Sequence, residues 1–180
     1  MTRAAYEEAK ETGINSFSLA FRDYGVKRGC KHFVETGTHL GTGVNYAIGH
    51  GFDEIFSCEL SEERYNQCLY RFRDNDNVNL WLGDSRQCMK EMLEKVDQKA
   101  CFWLDAHAEG GGVPTMEELD LIKEHPIKDH TIIIDDIPVY FGDAGKQQLK
   151  ERILEINPDY KFIGWCAHTP EDEYALVAYV

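Results

Sequence analysis

Acidic side chains recur at the ends of short apolar runs along this 180-residue chain. Glu35 ends His32–Thr36, Glu59 ends Glu54–Glu59, and Asp84 follows Val78–Leu82. Asp105 ends Cys101–Asp105, and Asp135 with Asp136 closes the run that starts at Thr131. The first acid sits in Phe33-Val-Glu-Thr-Gly-Thr-His-Leu-Gly-Thr-Gly43, which reads as a strand, a glycine-rich turn and the start of a helix. Gly37, Gly41 and Gly43 allow positive φ and close approach of the backbone to a ligand, and the helix start offers unpaired N–H groups. The dinucleotide fingerprint is GxGxxG. Here the spacing is G-x3-G-x-G, and Glu35 would repel a phosphate but attract an ammonium or sulfonium. The alternative is an ordinary strand–helix turn rich in glycine. Glu59, at the end of the second run, is placed to accept hydrogen bonds from both hydroxyls of a ribose. After the third run, Asp84 or Ser85 can meet an adenine edge, and Asp84 also reads as a helix cap.

Such side chains need a scaffold that sets strand ends side by side. Apolar runs alternate with helix-period segments, the pattern of a mostly parallel sheet with helices on both faces. The expected parallel strands are His32–Thr36, Glu54–Glu59, Val78–Leu82, Cys101–Asp105 and Thr131–Asp135, short and rich in Phe, Ile, Val, Leu or Trp, as buried parallel strands are. Ser61 is placed to cap a helix whose Tyr65, Cys68, Leu69 and Phe72 share a face. Asp84 with Gln87, and Thr115 with Glu118, stand at capping-box spacing before Met89, Met92, Leu93 and Val96 and before Leu119 and Ile122. Leu149, Ile153 and Ile156 mark a later helix that Asn157-Pro158 ends. Tyr160–Ala167 and Tyr174–Val180 are too close in sequence for a crossover helix, so they pair antiparallel. The expectation is one α/β domain over 1–180, a helical segment 1–30 before a doubly wound seven-stranded core 31–180 with a C-terminal antiparallel hairpin.

Composition narrows the partners. Nineteen basic against 32 acidic side chains leave a formal charge of −13, which disfavours nucleic acid and anionic membranes. A hydrophobic fraction of 43% is enough for a folded core. No run reaches the roughly 18 apolar residues of a membrane span, and the N-terminus has no signal-peptide h-region, so the expected location is cytoplasmic. The six cysteines form no CxxC pair and read as reduced thiols.

With those residues in view, the sequence resembles the class I S-adenosylmethionine-dependent methyltransferases over about 31–180. Val34-Glu-Thr-Gly-Thr-His-Leu-Gly-Thr-Gly43 is similar to the ExGxxxGxS/G form of catechol O-methyltransferase and of the macrocin-type sugar O-methyltransferases. The resemblance implies that Glu35, Gly37 and Gly41 face the methionine end of the cofactor, with Thr38 and Gly43 in the same turn. It implies that Glu59 holds the ribose, that Leu60 packs on adenine, that Asp84 and Ser85 lie near its edge, and that Asp105 borders the cofactor.

Asp105, Asp135 and Asp136 then converge at the ends of neighbouring strands. Three carboxylates in one cleft repel unless something positive lies between them, and a hard divalent cation, Mg²⁺ first, suits oxygen ligands. The metal-dependent O-methyltransferases carry acids at the same strand ends. In two places the chain departs from the catechol enzymes: their usual amide is Asp136, as in the sugar enzymes, and their lysine base corresponds to Ala108. His107 is then the candidate base, imidazole being the side chain that titrates near neutrality; the alternative is an exposed loop histidine. Gly110-Gly-Gly-Val-Pro114 reads as a segment able to close over a substrate or as a long turn. Trp81 and Trp103 read as core, Trp165 as a pocket or oligomer contact, His125 and His130 as loop residues outside any ligand set, and Glu171-Asp-Glu173 as a solvated hairpin tip. The expected chemistry is methylation of an oxygen on a small molecule, in a protein that is either monomeric or a homodimer. The rivals are a metal-independent methyltransferase, a hydroxylase-like enzyme similar to the cephalosporin hydroxylase group, and a cofactor-binding module without turnover, since only about 30 residues precede the sheet.

Overall fold

The computed structural model describes residues 3–107, 112–165 and 173–180. Its centre is a seven-stranded sheet of β1 (His32–Thr36), β2 (Glu54–Glu59), β3 (Val78–Leu82), β4 (Ala100–Leu104), β5 (Thr131–Ile134), β6 (Lys161–Trp165) and β7 (Ala175–Tyr179). The spatial order is β3-β2-β1-β4-β5-β7-β6; β1 to β5 are parallel, and β7 pairs antiparallel with both β5 and β6. This is the doubly wound sheet with a closing antiparallel hairpin that the sequence predicts. Asp105 and Asp135 fall just beyond their strands rather than inside them, and each N–H still donates to the neighbouring strand, Asp105 to the Thr36 carbonyl and Asp135 to the Leu104 carbonyl, both at 3.2 Å. Residues 166 and 167 of the expected sixth strand, 171 and 172 of the hairpin tip, and Cys166 lie outside the described residues.

The period-two alternation of the strands supplies two cores. One face carries Val34, Phe56, Cys58, Phe102, Leu104, Ile132 and Ile134 against α5 (Ser85–Leu93), α6 (Thr115–Glu124) and α7 (Gly142–Ile156). The other carries Phe33, Ile55, Cys101, Trp103 and Ile133 against α2 (Ser16–Ala20), α3 (Thr42–His50) and α4 (Glu62–Arg71). Ahead of these, α1 (Arg3–Thr12) is tied to the rest by a fork from Arg22 to Glu8 at 2.6 and 2.9 Å. A π-helical turn, Phe21–Gly25, and a 3₁₀ turn, Val26–Arg28, then lead into β1. Trp165 lines neither a pocket nor an outer contact face: it is fully buried, and its Nε1 donates to the Ser16 carbonyl at 3.0 Å, so the C-terminal hairpin anchors the N-terminal segment. No described helix is long and apolar enough to cross a membrane.

Three local expectations are corrected. On α4 only Cys68 and Phe72 of the predicted face are well buried, while Leu69 stays half exposed. Asp84 caps α5 through the Arg86 N–H at 2.9 Å rather than by a reciprocal box with Gln87. Thr115 is the first residue of α6 and buried, and Pro114 occupies the cap position.

His125 and His130 flank the loop between α6 and β5, as the sequence suggests. Both are buried where β4 and β5 begin. The Ala100 N–H donates to His130 Nδ1 at 3.0 Å, so the neutral ring carries its proton on Nε2 and donates to His125 Nδ1 at 3.0 Å. His125 Nε2 then donates to the Val96 carbonyl at 2.9 Å. A second proton on His130 would confront the Ala100 donor. Burial, with His125 next to it, lowers His130 to about 3. Unfolded, the same ring titrates near ~6.5, so its contribution to stability is complete above that pH and declines as pH falls toward 3, by up to about 1.4 kcal/mol per pH unit. His130→Asn should therefore show a flatter fall in thermal midpoint between pH 6.5 and 5 than the parent protein; equal slopes would reject this account.

Candidate functional site

Between β1 and β4 the winding reverses, and ligands of open α/β sheets bind over the strand ends at that point. Here a cleft of about 710 Å³ runs across the ends of β3, β2, β1, β4 and β5. Its lining includes Glu35, Gly37, Thr38, Gly43, Glu59, Leu60, Asp84, Ser85, Asp105, His107, Asp135 and Asp136. Of the site residues predicted from sequence, only Gly41 is not on the lining; it precedes α3 and packs on the Phe72 ring.

The turn after β1 is fitted to its neighbours with little slack. Gly37 has φ of 87°, and a Cβ there would lie 2.8 Å from the Asp105 carbonyl oxygen. Only glycine lets the β1 turn lie this close to the end of β4. Gly43 does not have the positive φ expected of it; it is helical, within the first turn of α3. Its missing side chain serves a different purpose, since a Cβ there would fall 1.9 Å from Glu35 Oε1. Among the described residues, two other than glycine take positive φ, His39 and Asp136, at 49° and 54°, and both line the cleft. Such backbones persist where the surroundings fix them, and they gather at functional sites. The His39 N–H donates to Glu59 Oε2 at 2.7 Å, and the Ser61 N–H to Glu59 Oε1 at 2.9 Å, which holds the Glu59 carboxylate at the mouth of β2.

Glu35 is 2% exposed. Register places Ser57 beside it on β2. The Ser57 hydroxyl donates to Glu35 Oε2 at 2.6 Å and is itself 2.6 Å from the Thr38 hydroxyl. Since Ser57 spends its proton on Glu35, Thr38 donates to Ser57 and keeps its oxygen lone pairs for the cleft. No ion pair to Glu35 occurs among the described residues; burial pushes its carboxyl up to about 8, against the pull of Ser57 and with Glu59 adding repulsion. At the ends of β4 and β5, burial raises Asp105 to about 8, helped by Asp135, Asp136 and Glu35, and raises Asp135 to about 7. Asp135 Oδ1 has no hydrogen-bond partner.

Asp105, His107 and Asp136 each bring one ligand atom to within 4.8 Å of the others. Asp135, predicted as the third metal acid, lies outside that group, and His107, predicted as the base, lies inside it. The His107 ring stacks on Tyr140, with centroids 5.4 Å apart. Of the loop Gly110–Pro114, residues 110 and 111 lie outside the described residues, whereas Gly112, Val113 and Pro114 line the cleft.

Sequence reasoning missed several participants. Trp103, expected as plain core, also faces the cleft, joined by Asn15, Phe17 and Phe21 from the N-terminal segment and Tyr46 from α3. Phe17 and Phe21 meet the Trp103 ring edge-on at 4.9 and 5.1 Å. Glu118, taken for a capping residue, is fully buried beneath the cleft beside Ser85 and Thr36, and burial raises it to about 7. Its spacing contained the signal: Thr115, Glu118, Leu119 and Ile122 fall on one helical face, the face that packs inward.

No protein-family model matches the chain, and no curated protein is significantly similar to it. Solved structures do match in fold. An O-methyltransferase from Bacillus cereus in complex with SAH aligns with a TM-score of 0.63 at 14% identity, over 100% of this chain and 92% of that one. An SAH-bound methyltransferase from Podospora anserina aligns at 0.60 and 14% identity, over 99% and 88%. A Staphylococcus aureus protein provisionally described as a caffeoyl-CoA O-methyltransferase aligns at 0.57 and 14% identity, over 98% and 90%. The fold is that of the class I methyltransferases. The cleft described above lies at the switch point of that fold.

Two outcomes follow from the packing around Glu35. Between pH 4.5 and 8 the folded protein holds a proton on this carboxyl that the unfolded chain has lost, so stability falls as pH rises through that window. Glu35→Gln removes the penalty: without ligand its thermal midpoint should exceed the parent's at pH 8, with the gap closing toward pH 5. Identical midpoints at pH 8 would contradict the buried, uncompensated charge. Gly43→Ala should cost about 1–3 kcal/mol in denaturant unfolding, because either Glu35 or α3 must shift; an unchanged midpoint would show that the contact is slack.

Proposed function

We propose that this chain is an S-adenosylmethionine-dependent methyltransferase acting on an oxygen of a small molecule, with a divalent cation beside the acceptor. The observation that carries the reading is a buried carboxyl without a cation, Glu35, sharing one switch-point cleft with a second acidic group on the next two strand ends.

S-adenosylmethionine supplies a methyl group on a positively charged sulfur. Glu35 balances positive charge at the end of β1, and Thr38 presents its free lone pairs there. Glu59 accepts from ribose hydroxyls with the lone pairs left over by the His39 and Ser61 N–H groups. Leu60, which is 61% exposed, covers one adenine face, and Ser85 and Asp84 border its polar edge. Phe17, Phe21 and Trp103 keep water from the acceptor end, where dry surroundings strengthen every charge interaction.

The acids at β4 and β5 fit a hard cation: they are half-buried, close together and lack a basic partner among the described residues. Asp105 and Asp136 would hold Mg²⁺, which lends Lewis acidity to a hydroxyl bound to it. His107 accepts the hydroxyl proton on a ring nitrogen, which lies within 4.8 Å of an oxygen of each carboxylate. Tyr140 fixes the plane of that ring by stacking. Asp135 lines the cleft next to Asp136 in the chain, outside the group of three ligand atoms.

Calorimetry on the purified protein should show binding of S-adenosylmethionine, weakened at least tenfold by Glu59→Ala; absence of any heat from it or from S-adenosylhomocysteine ends the reading. Acceptors found by a mass gain of one methyl should cease to react in chelator and react again on adding Mg²⁺. His107→Ala should lower turnover by about 10²–10⁴-fold while leaving Mg²⁺ affinity intact. Loss of metal binding together with turnover would make His107 a ligand rather than the base.

A further inference from the structure

Two thiols meet where β2 ends under α5. Cys58, one residue before Glu59, lines the cleft. It belongs to the core on the α5 face of the sheet, as does Cys88, which stands on the first turn of that helix three residues after Ser85. The Cys88 sulfur lies against the Gly83 backbone, 3.2 Å from where a Cβ would be, and the Gly83 N–H donates to the Glu59 carbonyl at 2.9 Å. The Cys58 S–H donates to Cys88 Sγ.

The other described thiols are held differently. Cys30 donates to Thr131 Oγ1 at 3.6 Å, Cys68 donates to the His39 carbonyl at 3.3 Å, and Cys101 is fully buried. None of these three is on the described lining of the cleft. A buried thiol is ordinarily inert, because reagents do not reach it and burial disfavours its thiolate. At the pair both obstacles are reduced. The cleft opens onto Cys58, and the hydrogen bond from Cys58 lowers the Cys88 thiol, against burial and the repulsion of Glu91 and Asp84.

We propose that Cys58 and Cys88 form a modification site, a dithiol that hydrogen peroxide converts to a disulfide, and that the disulfide weakens nucleoside binding in the cleft. The Cys88 thiolate attacks one peroxide oxygen and the O–O bond breaks. The sulfur becomes a sulfenic acid, and the departing hydroxide takes the proton that Cys88 gave up, leaving as water. The Cys58 sulfur then attacks Cys88 Sγ, the S–O bond breaks, and the second hydroxide takes the Cys58 proton. The two thiols lose two electrons and the peroxide gains them. A disulfide holds its sulfurs about 2.05 Å apart, closer than a hydrogen bond does, so β2 and α5 are drawn together at the level of Glu59 and Ser85. The Cys58 carbonyl accepts the Gly37 and Thr38 N–H groups at 2.9 and 3.0 Å, so the turn after β1 moves with it. The disulfide stands apart from the methyltransferase reading; its effect on the cofactor rests on that reading.

The test treats the full chain with one equivalent of hydrogen peroxide and maps its peptides by mass spectrometry. The chain should lose two hydrogens, with Cys58 linked to Cys88 ahead of any other pair, and dithiothreitol should reverse the change. The oxidised protein should bind S-adenosylhomocysteine at least about tenfold more weakly than the reduced one. By the same linkage, saturating S-adenosylhomocysteine should raise the reduction potential of the pair in a glutathione buffer by about 30 mV per tenfold. Cys88→Ala should keep its affinity for S-adenosylhomocysteine through peroxide treatment. A different first pair, oxidation without linkage, equal affinities of the two forms, or an equal fall in Cys88→Ala overturns the proposal. Failure of S-adenosylhomocysteine to bind the reduced protein removes the methyltransferase reading and the coupling with it, while the peptide map still decides the dithiol.

Discussion

Carboxyl groups held out of water, with no lysine or arginine paired to them among the described residues, are the constraint around which this molecule is arranged. Burial raises Glu35, Asp105 and Asp135 far above the ordinary carboxylate range, each mainly through lost hydration. An apolar side chain at any of these positions would remove that cost. The unliganded fold tolerates it because the large apolar cores on both faces of the sheet fix the strand ends, and the carboxyls are carried along with them.

Fine adjustments around the acids point the same way. Gly43 leaves room for Glu35, Gly37 leaves room for the end of β4, and Asp136 is held at a positive φ beside Asp105 and His107. The two hydroxyls of Ser57 and Thr38 orient toward Glu35 in a single sense, so its carboxylate is presented in one rotamer rather than several. A site assembled at this cost in strain and desolvation is organised before the ligand arrives, which reduces what must be reordered on binding.

The parts legible in the sequence were those governed by short-range pattern. Five parallel strands announce themselves as short apolar-rich runs, though β3, at the sheet edge, is only partly buried, and the interval between Trp165 and Tyr174 forces an antiparallel return. The acids at strand ends were visible because strand ends are easy to locate. What remained hidden depended on distant packing. Nothing local reveals that Phe17 and Phe21 fold back over Trp103, or that Trp165 reaches Ser16 across most of the chain. Glu118 was misread because two local rules compete at one spacing: a glutamate three residues after a threonine closes a capping box, but it also shares the inner face with Leu119 and Ile122. Burial chose the second. That His107 rather than Asp135 joins Asp105 and Asp136 is a matter of side-chain direction beyond the strand ends, which no spacing rule contains.

The two ends of the sheet make opposite demands on pH. At the amino ends of β4 and β5, His130 must stay neutral, which favours the fold at higher pH. At the carboxyl ends, Glu35, Asp105 and Asp135 are least costly when protonated, which favours it at lower pH. Stability without ligand is therefore squeezed between the two. A cation in the cleft relieves only the acidic side, since it lies on the far edge of the sheet from His130. Ligand binding should then release protons near neutrality and move the region of greatest stability upward in pH, so that the form best suited to neutral conditions is the one whose carboxyls have found their counter-charge.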